Sequence, residues 1–278
     1  MKTVTSEAAA CEYIIGIIYD RCRIRLHNGK EALIKARLGK RMRHHGFADL
    51  AEYCDFLQTH GNEDEFTLVV DALTTNFTNF LREQDHFEFM VEQGLAAVLT
   101  KGQRRFNVWS AASSSGEEPY TIAMYLAEHF PLAQRWDWRI TGSDISTKVL
   151  AKARLGVYAE ERISKIPNDW LRKYFQKGMG QWDGHYRVQR SLAERVSFLQ
   201  LNLIESYAHA QPFELIFCRN VMIYFDDPAK AELEQRFVDQ LAPGGHLYIG
   251  HSERLVGTAA THMIGCGQTI YAKREASQ

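Results

Sequence analysis

Through residues 1–75 apolar side chains recur at three- and four-residue intervals, the period of a helix with one buried face. Tyr13, Ile14, Ile17 and Ile18 share one face of a segment over 10–21. After Gly29, a second segment over 30–45 carries Ile34, Leu38 and Met42 as its buried stripe, and Gly46 closes it. A third covers 48–60 and ends at Gly61-Asn62, and a fourth over 63–73 is apolar at Phe66, Val69, Val70 and Leu73. No strand pattern interrupts them, which predicts a small all-helical domain. Beyond residue 83 the pattern alternates. Short β-branched and aromatic runs at 106–109, 138–142, 196–199, 213–218, 246–250 and 267–272 read as strands. Helical patterns at 84–101, 120–130, 147–155 and 228–241 lie between them. The run Phe213–Cys218 is almost unbroken apolar, as expected deep in a parallel sheet. The alternation predicts an α/β fold with a Rossmann-like sheet. It breaks over 168–195, where a helix at 169–176 leads into a glycine-rich turn around Trp182-Asp183-Gly184 and an extended run at 185–190. This reads as a small antiparallel β excursion at about 177–194, either a simple insertion or an edge open to an added peptide strand. The expected division is 1–75, a linker at 76–83, and 84–278.

The most distinctive junction is the first strand–loop–helix. Val108-Trp109 runs into six small residues, Ser110 to Ser115, then Gly116, Glu117, Glu118 and Pro119. A small-residue loop between strand and helix lets a ligand approach backbone N–H groups. Two readings of Glu117 and Glu118 stand: they complement the positive end of the helix dipole, or they meet a cationic ligand. Carboxylates there would repel a pyrophosphate, and G-x-G-x-x-G is absent, so a dinucleotide is disfavoured and S-adenosylmethionine fits better. Asp144, closing the second strand, is placed for ribose hydroxyls; Ser146 can cap the next helix alone. Arg219 and Asn220 lie just past the carboxyl end of the 213–218 strand, where open α/β sheets do their chemistry. The connection 74–83 alternates polar and aromatic residues and carries Arg82, more like a segment packed along a cleft than a bland linker.

Composition adds bounds. The 278 residues suggest about two domains, and 45% hydrophobic with 24% charged residues is an ordinary globular mix. A formal net charge of −1 gives no overall pull toward nucleic acid. Five dispersed cysteines without a C-x-x-C pair point to a reducing cytoplasm, and no apolar run approaches the roughly 20 residues that span a bilayer. No histidine pair has an H-E-x-x-H context, so no structural metal is expected. One local charge anomaly remains: Arg37, Lys40, Arg41 and His44 form a basic stripe on the second helix, a solvated face or a docking surface for an acidic partner.

Taken together, Thr74-Thr75-Asn76-Phe77-Thr78, Trp109 through Gly116-Glu117-Glu118-Pro119-Tyr120, Ser143-Asp144-Ile145, Asn202-Leu203, Cys218-Arg219-Asn220-Val221-Met222-Ile223-Tyr224-Phe225 and Gly250-His251-Ser252-Glu253 resemble the chemotaxis receptor methyltransferases, the CheR family. These motifs occur in order over nearly the whole chain. The resemblance implies a Rossmann-like S-adenosylmethionine methyltransferase domain, behind the helical domain and carrying the β-subdomain, that methylates glutamate side chains on chemoreceptor cytoplasmic helices and releases S-adenosylhomocysteine. It implies cofactor contacts by Asn76, Thr78, Arg82, Glu118, Asp144, Asn202, Leu203, Arg219 and Asn220, and a tyrosine, Tyr224, near the methyl group. It further implies receptor docking by Arg37, Lys40, Arg41 and Arg43, and in some members capture of a receptor C-terminal pentapeptide by the β excursion. The chemistry agrees: a glutamate side chain, with a pKa near 4.3, is already an anion at neutral pH, so no general base is required, and none stands out. Arg82 and Tyr224 are the expected positioning groups. The alternatives are a methyltransferase for another substrate, disfavoured for RNA by the absent D/N-P-P-Y motif, and a cofactor-binding adaptor without turnover. The chain is expected in the cytoplasm, recruited to receptor arrays.

Overall fold

A computed structural model describes residues 6–26, 29, 31–99, 102–207 and 209–274; Lys30 and Lys101, expected helix ends, lie outside these. The helical domain comprises α1 (Glu7–Cys22), α2 (Glu31–His45), α3 (Leu50–His60) and α4 (Glu63–Leu73). Each of α1, α3 and α4 begins where a side-chain oxygen, from Ser6, Asp49 or Asn62, accepts a backbone N–H of the first turn. Their apolar stripes close one core around Ile14, Ile18, Ile34, Leu38, Tyr53 and Val69. Beneath the surface of this domain, Glu65 accepts from Arg41 and from the Tyr53 hydroxyl at 2.5 Å. Burial alone would raise the Glu65 pKa, but hydrogen bonds from Arg41, Tyr53 and His45 outweigh it and hold the group at about 2.

Next, α5 (Asp85–Phe89) and α6 (Leu95–Val98) are joined by a π-helical turn, Met90–Gly94. The α/β layer follows: β1 (Arg105–Ala111), α7 (Glu117–His129), β2 (Asp137–Asp144), α8 (Thr147–Leu155), β3 (Val157–Ala159), α9 (Glu160–Ile163), α10 (Asn168–Tyr174), β4 (Phe175–Lys177), β5 (His185–Val188), α11 (Arg190–Ala193), β6 (Val196–Gln200), β7 (Phe213–Cys218), α12 (Asp227–Gln240), β8 (Leu241–Ile249), β9 (Met263–Gly267) and β10 (Ile270–Lys273). The large sheet has the order β6-β2-β1-β7-β8-β10-β9. The first five of these strands pair in parallel, while β10 is antiparallel to both β8 and β9. The order reverses between β1 and β7, so a crevice opens beyond their carboxyl ends. Apolar side chains pack on both faces, with Phe87, Tyr120, Leu126 and Phe217 on one and Trp109, Ile216, Leu233 and Phe237 on the other.

The strand expected at 246–250 begins earlier, as β8 from Leu241, and the helix expected at 120–130 begins at Glu117; two further elements differ in topology. The closing run at 267–272 is a hairpin, β9 and β10, because Thr269, with a φ of 54°, turns the chain. The excursion is a three-stranded sheet, β3-β5-β4, whose first strand is supplied from before α9. Three residues at β3 are too few to show a strand period.

The helical domain is tied to the sheet beside the crevice. Thr147 donates to Asp71 at 2.8 Å, Asn202 Nδ2 to the carbonyl of Arg21 at 2.7 Å, and the N–H of Arg25 to the carbonyl of Tyr224 at 2.9 Å.

Candidate active site

The crevice holds a cavity of about 1210 Å³, counting the space open to solvent at its mouth. Its walls bring together Asn76, Thr78, Arg82, Glu118, Asp144, Asn202, Leu203, Arg219, Asn220 and Tyr224, which lie on five separate stretches of chain, along with Arg37 from α2. The small-residue loop turns at its floor. Ala112 and Ser114 adopt left-handed φ values of 61° and 49°, and Gly116 reaches 95°. A Cβ on Gly116 would sit 2.9 Å from the Tyr158 hydroxyl and from the Ala153 methyl, so only glycine fits this bend.

Asp144 holds that loop in place: its Oδ2 accepts the N–H of Ser114 at 2.9 Å and its Oδ1 that of Ser146 at 2.9 Å. Burial raises its pKa to about 6, against the lowering effect of those N–H groups. Ser146 itself caps α8. Glu117 and Glu118, adjacent in the first turn of α7, do different work. Glu117 is buried against Arg162, which also donates to the carbonyl of Thr78 at 2.8 Å. Glu118 faces the cavity, accepting from Ser110 at 2.6 Å and pairing with Arg219 at 3.0 Å.

Arg219 is the hub. Its side chain is 2% exposed and reaches Glu118, Glu83 at 2.9 Å and the carbonyl of Arg82, with its guanidinium 5.1 Å from the centre of the Phe87 ring. Glu83 also accepts from Asn220 Nδ2 at 3.1 Å. Burial pushes the Glu83 pKa up, but the Arg219 charge and the Asn220 and Arg219 hydrogen bonds outweigh it and leave it lowered. Arg82 is placed differently: it donates to the carbonyl of Phe77 at 3.2 Å, and no carboxylate lies within ion-pair distance of it among the described residues. Leu81 and Glu83, on either side, have left-handed φ values of 58° and 52°. Each such residue costs about 1–3 kcal/mol unless its surroundings fix it.

The expected docking residues divide. Arg37 donates to the carbonyls of Leu73 and Thr74 at 2.7 and 3.3 Å, and Arg41 is paired with Glu65, whereas Lys40 and Arg43 are exposed. Helix period alone places Arg37, Lys40 and Arg41 near one face; it does not show which find partners on α4.

Three residues outside the expected set shape the site. Glu253 accepts the N–H groups of Gly250 at 2.6 Å, Asn220 at 2.9 Å and Ile223 at 3.2 Å. It thereby holds Asn220 at its left-handed φ of 59°. Glu83 and Arg162 are the others. Glu253 stood inside a motif and Glu83 at the end of the 74–83 connection, but Asn220, which both of them hold, lies 33 and 137 residues away; Arg162 carries no sequence signal.

Comparison with known proteins joins these observations. Residues 76–271 match the family described as CheR methyltransferase, SAM binding domain, and residues 9–74 match CheR methyltransferase, all-alpha domain. The chain belongs to the CheR methyltransferase family. A chemotaxis protein methyltransferase of Escherichia coli is 40% identical over 257 residues, covering 92% of this chain and 87% of that protein. One from Salmonella typhimurium is 39% identical over 260 residues, covering 93% and 88%, and one from Borreliella burgdorferi 37% over 250 residues, covering 88% and 87%. This CheR chain is therefore an S-adenosylmethionine-dependent methyltransferase of chemotaxis. Its cavity suits that cofactor: the buried Asn79 Oδ1 and Ser113 Oγ on its walls have no partner among the described residues, Glu118 and Asp144 offer acceptors, and Ile145, Leu201 and Leu203 are apolar.

Proposed function

We propose that the protein transfers methyl groups from S-adenosylmethionine to glutamate side-chain carboxylates on the cytoplasmic helices of chemoreceptors, forming methyl esters for chemotactic adaptation. The observation that carries this reading is the contrast between the two arginines on the inner cavity wall. Arg219 is consumed by Glu83 and Glu118, while Arg82 has a carbonyl as its partner and can receive an incoming carboxylate. Bound S-adenosylmethionine supplies an electrophilic methyl on a cationic sulfur. Asn76, Thr78, Glu118, Asp144, Asn202, Leu203, Arg219 and Asn220 are the residues that would hold it, with Asp144 toward the ribose and Glu118 toward the cationic end. The acceptor glutamate is ionised at neutral pH, so the site need not remove a proton, and no histidine lines the cavity among the described residues. What the chain must supply is alignment and exclusion of water. Arg82 and Tyr224 orient the carboxylate; the bond between Tyr224 and Arg25 ties this wall to the helical domain.

Helix α2 lies beside the mouth, since its Arg37 is a wall residue. Lys40 and Arg43 on that helix are exposed and make no ion pair among the described residues, which leaves them for an acidic receptor surface, whereas Arg41 is held by the buried Glu65. The small sheet β3-β5-β4, with Met179 and Trp182 exposed in its turn, offers an edge for a receptor C-terminal pentapeptide. The protein acts in the cytoplasm on receptor arrays; no helix among the described residues is long and apolar enough to cross a membrane. The test is transfer of radiolabelled methyl from S-adenosylmethionine to chemoreceptor-containing membranes. Label on receptor bands is expected. Cofactor binding without label on any receptor would leave an adaptor or a different substrate.

A further inference from the structure

Behind the Arg219 hub, Glu83 meets two histidines. One ligand-type atom from each of Glu83, His86 and His251 lies within 4.8 Å of the others. His86, on α5, is fully buried, and its Nε2 is 3.0 Å from the carbonyl oxygen of Gln268. A carbonyl only accepts, so Nε2 carries the proton and Nδ1 of the neutral ring keeps a lone pair. That Nδ1 is buried, has no hydrogen-bond partner among the described residues, and lies 3.9 Å from Glu83 Oε2. A buried lone pair facing a carboxylate oxygen is unfavourable and would be relieved by a cation between them. The third group, His251, stands edge-on to His86 with ring centres 4.9 Å apart, and its Nε2 is 3.1 Å from Asp85. A carboxylate bonded to one imidazole nitrogen orients the other toward a metal ion.

We propose that Glu83, His86 and His251 form a binding site for a divalent transition-metal ion of the zinc class, whose occupation draws Glu83 from Arg219 and Asn220 and weakens cofactor binding. Two imidazoles and one carboxylate are a ligand set suited to zinc, whereas magnesium and calcium prefer oxygen. Ligand atoms around tetrahedral zinc sit about 3.3 Å apart, so the three groups must close inward. His251 is exposed and can swing; Glu83 can close only by loosening its contacts to Arg219 and Asn220. The coupling to the cofactor site follows from that shared carboxylate.

The full-length protein, stripped of metal, would be titrated with Zn²⁺ against a chromophoric chelator. One ion per chain is expected, bound at least tenfold more weakly by His251→Ala, with no competition from Mg²⁺. His86 is buried and its replacement risks unfolding, so the exposed His251 carries the test, with the variant's fold checked by its melting curve. Calorimetry with S-adenosylhomocysteine provides the second readout: Zn²⁺ should weaken binding at least fivefold in the wild type and less than twofold in His251→Ala. Absence of stoichiometric zinc, equal zinc affinity in the variant, or wild-type cofactor affinity unmoved by zinc would each overturn the proposal.

Discussion

Replacing Glu253, which is not among the residues lining the cavity, should damage both stability and cofactor binding. Its residue is 8% exposed, and its two oxygens accept three backbone N–H groups, from Gly250, Asn220 and Ile223. A hydrogen bond to a charged group contributes roughly 1.5–3 kcal/mol, and a buried donor left without a partner costs roughly 1–3 kcal/mol. Against this stands the cost of burying the carboxylate, which is large enough to raise its pKa above the usual value. The net loss for Glu253→Ala is therefore set at about 3 kcal/mol, below the simple total of its bonds. Glu253→Gln keeps the shape and one good acceptor but turns an N–H₂ group toward a donor, and should lose about 1–2 kcal/mol. Without its N–H tether, Asn220 no longer has to stay in the left-handed region, and Arg219 beside it loses its placement. Affinity for S-adenosylhomocysteine should fall at least tenfold, or about 1.4 kcal/mol. Urea unfolding at constant m-value and calorimetry measure the two effects. A Glu253→Ala protein within about 0.5 kcal/mol of wild type, with unchanged affinity for S-adenosylhomocysteine, would refute the reasoning.

Other perturbations separate the parts of the site. Arg82→Ala should lower kcat on receptor on the order of a hundredfold through misplacement of the carboxylate, while unfolding stability stays within about 0.5 kcal/mol; retained turnover would remove Arg82 from the site. Lys40→Glu with Arg43→Glu should raise the KM for receptor in a salt-dependent way and leave S-adenosylhomocysteine affinity unchanged, whereas Arg41→Glu should instead lower the melting temperature, because it strands the buried Glu65. Cofactor affinity should be level above about pH 7 and fall as pH drops through about 6, where Asp144 gains its proton, by up to about tenfold per unit. The unliganded protein should move oppositely: a carboxyl pKa raised on folding favours the protonated folded state, so this group's contribution to stability increases as pH falls from about 6 toward 3.8. Asp144→Asn should flatten the cofactor profile, as calorimetry across pH would show.

How far these features were readable depends on the range of the interactions behind them. The helical and strand periods carry local burial, so α4 and β7 have the limits expected from the pattern, Glu63–Leu73 and Phe213–Cys218. Short elements escaped: β3 has three residues, and the β9–β10 turn depends on Thr269 adopting a conformation that its residue type does not announce. In the site, loop and motif residues from 76 to 224 converge on one cavity. Their ionic pairing was not readable. Nothing in the adjacent Glu117-Glu118 pair says that one carboxylate turns to Arg162 and the other to Arg219. Likewise the stripe on α2 did not disclose that Arg37 and Arg41 have partners on and just beyond α4.

The most direct test of the central claim is to map the methyl group itself. A chemoreceptor cytoplasmic fragment would be incubated with the protein and isotopically labelled S-adenosylmethionine, then digested and sequenced by tandem mass spectrometry with and without mild base. The account predicts label on glutamate side chains, released as methanol by base. Base-stable label, label on lysine or at a chain terminus, or an unlabelled fragment beside a protein that binds the cofactor would contradict it.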